Sequence, residues 1–265
     1  MHANRKLLSQ YPLRIPNKSL NFARNITIDK SGLMSTKIPS KFSGFTPETF
    51  QFFAELEENN NRPWFDEHKS VYESEVLLPL KALANALVPF FASVDAQMDF
   101  RPVKLISRIY RDIRFSPDKT PYKKHMWIAY QRPFQRQTTE WMSFPGFFLE
   151  IGKEGANYGM GLFEAQKKIM DRFREMVEYQ PEQFRKITIG LVEKQGFVMD
   201  GEEYKRPVKN SLDAYFQPWI QRKGIWLIKT IPVGDMLFSE ILLAHLEKEF
   251  ALLQPLYEFF VEICE

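Results

Sequence analysis

Residues 104–130 read KLISRIYRDIRFSPDKTPYKKHMWIAY, and the period of this stretch decides the fold. Val103, Leu105, Ile109, Ile113 and Phe115 alternate, which predicts one long strand over Lys104–Phe115. Ser116-Pro117-Asp118-Lys119 has turn chemistry, with proline suited to the second turn position. Thr120-Pro121 keeps the chain extended, and Met126, Ile128 and Tyr130 alternate in a second strand. Next come a polar loop over Gln131–Thr139 and a third strand through Phe147, Leu149 and Ile151. Lys153-Glu154-Gly155 turns it into a fourth strand over Asn157–Phe163. Gly159 and Gly161 inside that strand predict a bulge or a close backbone approach.

On both sides of this block the period is helical. Thr46-Pro47-Glu48 is a helix start, with Phe50, Phe53 and Ala54 facing inward. Asn61 caps a second helix with Pro63 just inside it, and Leu80, Leu83, Ala84 and Leu87 carry the helical stripe on to Phe91. Two helical pieces joined near Pro79 are expected there. Later helices are expected from Ala165, from Pro181, from a Ser211 cap through Trp219 to Gly224, and from Ser239 with Pro255 beginning its last turns. A short strand is expected at Ile225–Lys229. Consecutive strands between helices predict α+β: a largely antiparallel central sheet flanked by N-terminal and C-terminal helices. A single domain over residues 45–265 accommodates all of them.

Composition fits that reading. The chain has 265 residues, 44% of them hydrophobic, and 24 Phe predict a phenylalanine-dominated core. Residues 1–40 are basic, hold Asp29 as their single acid and show no sustained period, so they read as a disordered or non-domain leader, with Met34 a natural start. One cysteine, Cys264, excludes an internal disulfide framework and fits a cytoplasmic protein. No apolar run reaches the roughly 18 residues of a membrane span, so no membrane partner is expected.

Net charge is +3, yet Arg101–Arg136 holds ten Lys or Arg against two Asp. That local +8 leaves the remainder at −5 and points to an anionic partner at one place. Strand alternation puts Arg108, Tyr110, Asp112 and Arg114 on one face and Ile109, Ile113 and Phe115 on the other, with Arg111 as an intruder. Guanidinium forks suit bidentate capture of phosphate or carboxylate. The expected ligand-binding residues are Arg108, Arg111, Arg114, Lys119 and Lys123, with Asn61 and Arg62 bordering them. Asp112, Tyr110 and His125 are the candidate catalytic groups, with Asp112 or His125 as base. Against this stands a purely structural reading, in which the arginines pair with acids such as Glu140, Glu150 or Glu164. A third reading is nucleic-acid binding through the same basic hairpin, with Tyr110, Tyr122 and Trp127 as stacking partners. No two of the four histidines share metal-ligand spacing, and no metal site is expected from them. No G-x-S-x-G, Walker loop or G-x-G-x-x-G occurs, so no cofactor and no reaction can be named.

Four motifs occur in order: Asn59-Asn60-Asn61-Arg62-Pro63-Trp64-Phe65, the run from Arg108 to Lys123, Pro145-Gly146-Phe147-Phe148, and Lys205-Arg206-Pro207. With them the chain resembles the uncharacterised bacterial and fungal family called domain of unknown function 2461, from about Phe45 to the C-terminus. Ile113 stands where that family commonly has Thr, and Pro63 where Glu is common. The resemblance implies an intracellular α+β protein with no established activity, and places residues 1–40 outside the family domain.

Overall fold

The computed structural model describes residues 41–114, 116–133, 135–137, 140–142, 144–163 and 165–265. The expected leader over residues 1–40 lies outside them.

Pro47 opens α1 (Pro47–Glu58), where its fixed φ suits a first turn, and Thr49 Oγ1 accepts the Thr46 N–H at 3.2 Å. Asn61 caps α2 (Arg62–Val71), its Oδ1 accepting from the Trp64 N–H at 3.0 Å. The expected joint near Pro79 is a π turn, Tyr72–Leu77, through which the helix continues into α3 (Leu78–Val94). Pro79 brings no N–H to the Glu75 carbonyl four residues back, and its ring crowds that oxygen. The register widens, so that the Leu78 N–H reaches the Glu73 carbonyl five residues back. Buried Thr49 donates its hydroxyl to the Glu75 carbonyl at 2.6 Å. By length and composition alone, Arg62–Val94 would suffice to cross a membrane, although no unbroken apolar run reaches that length. Within it Leu80, Leu83, Leu87 and Phe91 are buried in the core.

The long strand expected over Lys104–Phe115 does not form. Pro102 starts a single helical turn, α4 (Pro102–Leu105), and beyond it, among the described residues up to Arg114, the chain makes two isolated bridges, Ile106 with Ile128 and Tyr110 with Tyr122. Local bonds compete with a ladder here: Asp112 Oδ1 accepts the Arg114 N–H at 3.2 Å, and Asp118 Oδ1 accepts the Thr120 N–H at 2.9 Å. Pro117 and Pro121 have no N–H to offer a ladder.

The other strands follow their period. They are β1 (His125–Gln131), β2 (Gln135–Gln137), β3 (Glu140–Met142), β4 (Gly146–Gly152) and β5 (Gly155–Leu162). Strand β2 stands in the stretch read as a polar loop, and its antiparallel partner β3 begins directly after it. Then come α5 (Lys167–Tyr179), α6 (Pro181–Glu193), β6 (Val198–Asp200), α7 (Gln217–Ile220), β7 (Ile225–Pro232) and α8 (Ile241–Cys264). The helix expected from Ser211 shrinks to the four residues of α7. Asn210 and Asp213 carboxamide and carboxylate oxygens take the N–H groups of Leu212 and Tyr215, both at 2.9 Å, and turn the chain there. Helix α8 runs unbroken past Pro255.

The main sheet has the order β1-β4-β5-β7-β6, antiparallel throughout, so the fold is α+β with helices flanking an antiparallel sheet. Met126, Ile128, Phe147, Leu149, Ile151, Tyr158, Met160 and Leu227 point to one buried face. Helices α3 and α8 lie on it: Phe91 stacks on Tyr130 at 4.0 Å, and Phe250 packs edge-on to Phe147 at 5.7 Å and Tyr158 at 5.8 Å. Helices α5 and α6 back α8 through Phe173 and Phe184 against Phe259. Each phenylalanine so buried stabilises the fold by about 1.5–3 kcal/mol. Gly159 and Gly161 mark the close approach of β7, since a Cβ on them would lie 1.8 Å from the Leu227 carbonyl and 2.2 Å from the Ile225 carbonyl.

Candidate functional site

Several contacts attach the 104–124 segment to the rest of the fold. Ser107 replaces a partner strand at the edge of β1: its N–H donates to the Trp127 carbonyl at 2.9 Å and its Oγ accepts the Trp127 N–H at 3.1 Å. The chain then folds back on itself, with the Arg111 N–H on the Pro121 carbonyl at 2.9 Å and the Lys123 N–H on the Ile109 carbonyl at 2.8 Å. The Asn60 side chain holds the returning arm, and the Tyr122 ring stacks on Phe65 at 4.1 Å.

The expected residues separate into groups. Arg111 serves the turn. Its side chain is only 10% exposed and donates to Asp118, to Thr120 Oγ1 at 2.7 Å and to Ser116 Oγ at 3.2 Å. Arg114 is exposed and forks onto Asp112 at 2.6 and 2.9 Å. That bond holds the Asp112 carboxyl down at about 2, which makes it a weak base at neutral pH. Lys119 Nζ donates to the Ile113 carbonyl at 2.8 Å. Tyr110 is 58% exposed, its ring 5.5 Å from that of Tyr122. Asn61 is occupied as a helix cap, and Arg62 is exposed at the start of α2. Lys124 binds Glu57 Oε1 at 3.0 Å, and Lys153 binds Glu57 Oε2 at 2.6 Å. The side chains of Glu140 and Glu164, expected as partners of the arginines, lie outside the described residues.

Arg108 and Lys123 differ from these. Among the described residues neither has a carboxylate within ion-pair distance, although the Arg108 charge acts on Asp112. Arg108 is exposed, whereas Lys123 is half-buried with its Nζ over the Trp127 ring, 4.1 Å from the centroid. Burial, followed by the charges of Arg108 and Arg111, lowers the Lys123 ammonium to about 8.

Lys123 also opens a row that strand register builds across the sheet face opposite the core. His125 and Trp127 face outward on β1, Glu150 lies opposite Trp127 on β4, Asn157 opposite Glu150 on β5, and Thr230 opposite Asn157 on β7. Thr230 Oγ1 donates to Asn157 Oδ1 at 2.8 Å, Asn157 Nδ2 donates to Glu150 Oε1 at 3.3 Å, and Glu150 Oε2 lies 3.7 Å from His125 Nε2. The His125 and Glu150 side chains are each 14% exposed. Burial pushes the His125 imidazole below its ordinary value. The Glu150 charge opposes this, and Lys123 and Arg111 add to it. The result is a covered imidazole–carboxylate pair beside a lysine that has no carboxylate partner among the described residues.

Sequence reading named His125 and Lys123 but missed Asn157 and Thr230, and it placed Glu150 only as a partner for arginine. Their common row depends on pairing between strands far apart in the chain. Two surface depressions lie elsewhere. One of about 240 Å³ is lined by Asp95, Arg132 and Tyr257, and one of about 230 Å³ by Asp171, Arg174 and Asn210.

These features define an α+β protein whose sheet carries a basic, partly covered polar row on the face away from its helices. A family model described as "Conserved hypothetical protein (DUF2461)" matches residues 48–259, and the chain belongs to that family. No curated protein matches the chain significantly.

Proposed function

We propose that the protein binds the phosphate or carboxylate of a small molecule at Lys123 and Arg108, beside the His125–Glu150 pair. The observation that carries this reading is Lys123: a half-buried ammonium, close enough to Arg108 and Arg111 to feel both, with no carboxylate partner among the described residues. Like charges gathered in a partly desolvated place repel, and an anion relieves that repulsion. The narrower role of Arg111 and Arg114 supports a smaller site than five arginine and lysine side chains would make, because Asp118 and Asp112 already hold those two. His125 replaces Asp112 as the group suited to proton transfer, since an imidazole titrates nearer neutral pH.

Thermal denaturation in inorganic phosphate, and in phosphorylated or carboxylated metabolites, is the test, against chloride at matched ionic strength. A ligand that binds only the folded protein raises Tm with its concentration. The expected result is an anion-specific rise that Arg108→Gln reduces. If every anion matches chloride, the reading is wrong. Nucleic-acid binding fits less well, because the Tyr122 ring is buried against Phe65 and Lys123 covers one face of Trp127. A steep salt dependence of oligonucleotide binding would reverse that ranking.

A further inference from the structure

Resting on the anion-site reading, we infer that Lys123 is a nucleophilic amine that forms an imine with an aldehyde or ketone carrying a phosphate or carboxylate. The placement of Lys123 separates it from the other lysines for which a partner is resolved. Lys124 and Lys153 are held by Glu57, Lys229 by buried Glu249, Lys167 by Asp171 and Lys223 by Glu202. Lys123 instead rests on the Trp127 ring, and among the described residues no carboxylate holds its proton. Two guanidinium groups act on it, and one of them, Arg108, is free of ion pairs among the described residues and so available to the anionic end of a ligand. Lysines made nucleophilic by desolvation or by a neighbouring cation are the ones that form Schiff bases.

The neighbours supply what the reaction needs. Lys123, His125 and Trp127 follow one another at two-residue spacing, and His125 is close enough for the Lys123 charge to act on it. The uncharged Nζ adds to the carbonyl carbon, and a proton passes from nitrogen to the former carbonyl oxygen. His125, in its protonated form beside Glu150, donates a proton as that oxygen leaves as water, and the C=N bond forms as an N-protonated iminium whose proton can return to the imidazole to leave the neutral imine. One water is released, and neither an oxidant nor a metal is consumed. An ammonium with a pKa of about 8 has, near neutral pH, an uncharged fraction roughly 100-fold above that of an ordinary lysine.

The test uses the full chain with pyridoxal 5′-phosphate and, separately, pyruvate, each trapped with cyanoborohydride, which delivers hydride to the C=N bond. Peptide mapping then gives the rate of adduct formation at each lysine. Lys123 is expected to react at least about tenfold faster than exposed Lys104 and Lys186 at neutral pH. Pyridoxal without its phosphate should lose that preference, and inorganic phosphate should compete. The two probes distinguish a phosphate-bearing from a carboxylate-bearing ligand. Arg108→Gln should slow labelling at Lys123 and leave Lys104 and Lys186 unchanged. Labelling of Lys123 no faster than that of the exposed lysines overturns the inference. Should phosphate still raise Tm in that case, the anion site stands and only the amine chemistry falls. If neither effect is seen, both fall.

Discussion

The Asn60 carboxamide makes a two-way pair with the backbone of Tyr122: its Nδ2 donates to the Tyr122 carbonyl at 3.0 Å and its Oδ1 accepts the Tyr122 N–H at 3.0 Å. One side chain from the α1–α2 connection thus does for the returning arm what a neighbouring strand would do. Lys123 follows directly, so its placement over Trp127 depends on this pair.

Asn60→Ala is therefore expected to destabilise the protein by about 1–3 kcal/mol, because two partly buried backbone groups lose their partners. It should also weaken the phosphate-dependent rise in Tm. Urea denaturation with and without phosphate measures both. A variant with unchanged stability and unchanged phosphate response would show that Ser107 and the Tyr110–Tyr122 bridge hold the arm unaided.

Arg108, Arg111 and Arg114 should behave differently although they share one motif. Arg111→Ala removes the bonds to Ser116, Asp118 and Thr120 and should cost about 1–3 kcal/mol. Arg114→Ala breaks a solvent-exposed pair with Asp112 and should leave the denaturation midpoint nearly unchanged. Arg108→Ala should leave stability within about 0.5 kcal/mol of the parent while reducing anion binding. Denaturation midpoints together with phosphate titrations separate the three, and equal losses at all three positions would contradict this division.

The hydroxyl of Thr49 serves the Glu75 carbonyl in the turn that Pro79 disrupts. Thr49→Val keeps the shape and loses the donor, at an expected cost of about 1–3 kcal/mol. Pro79→Ala supplies an N–H nearby, so Thr49→Val should be less damaging in that background. A double-mutant cycle measures the coupling. Strict additivity would mean that the two positions act independently.

Stability should fall in acid in a manner traceable to Asp95. Burial alone raises the pKa of this carboxyl, but bonds from Tyr257 at 2.5 Å and Arg132 at 2.6 Å outweigh burial and leave it below its ordinary value. A carboxyl lowered in the folded state contributes stability that is complete above its unfolded pKa of about 3.9. The contribution disappears as pH falls through the lower folded value. Asp95→Asn should cost about 1–3 kcal/mol near neutral pH, since it weakens charge-assisted bonds from Tyr257 and from partly buried Arg132, which keeps Glu265 as its other carboxylate. The gap from the parent should narrow below about pH 4. Urea midpoints across that range give the answer, and parallel curves would place the acid sensitivity elsewhere.

Much of the fold is legible in local pattern. Thr46-Pro47 and Asn61 announce α1 and α2, the alternation from His125 to Tyr130 and from Phe147 to Ile151 announces β1 and β4, and Gly159 and Gly161 announce the close approach of β7. The pattern misleads where polar side chains bond to their own backbone. Ile109 and Ile113 alternate as a strand would, yet Asp112 and Asp118 turn the chain, and a two-residue period cannot register that competition.

By itself, the sequence determined the antiparallel α+β architecture and the concentration of positive charge between Arg101 and Arg136, because periodicity and charge are local properties. Only the tertiary structure decided which of those charges are already neutralised. Arg111 and Arg114 find acids within seven residues along the chain, whereas strand pairing sets His125, two residues beyond Lys123, near Glu150 and carries the row on to Asn157 and Thr230, which lie 73 residues apart. Register places a side chain on one face or the other and fixes its neighbours, and no local period encodes that choice.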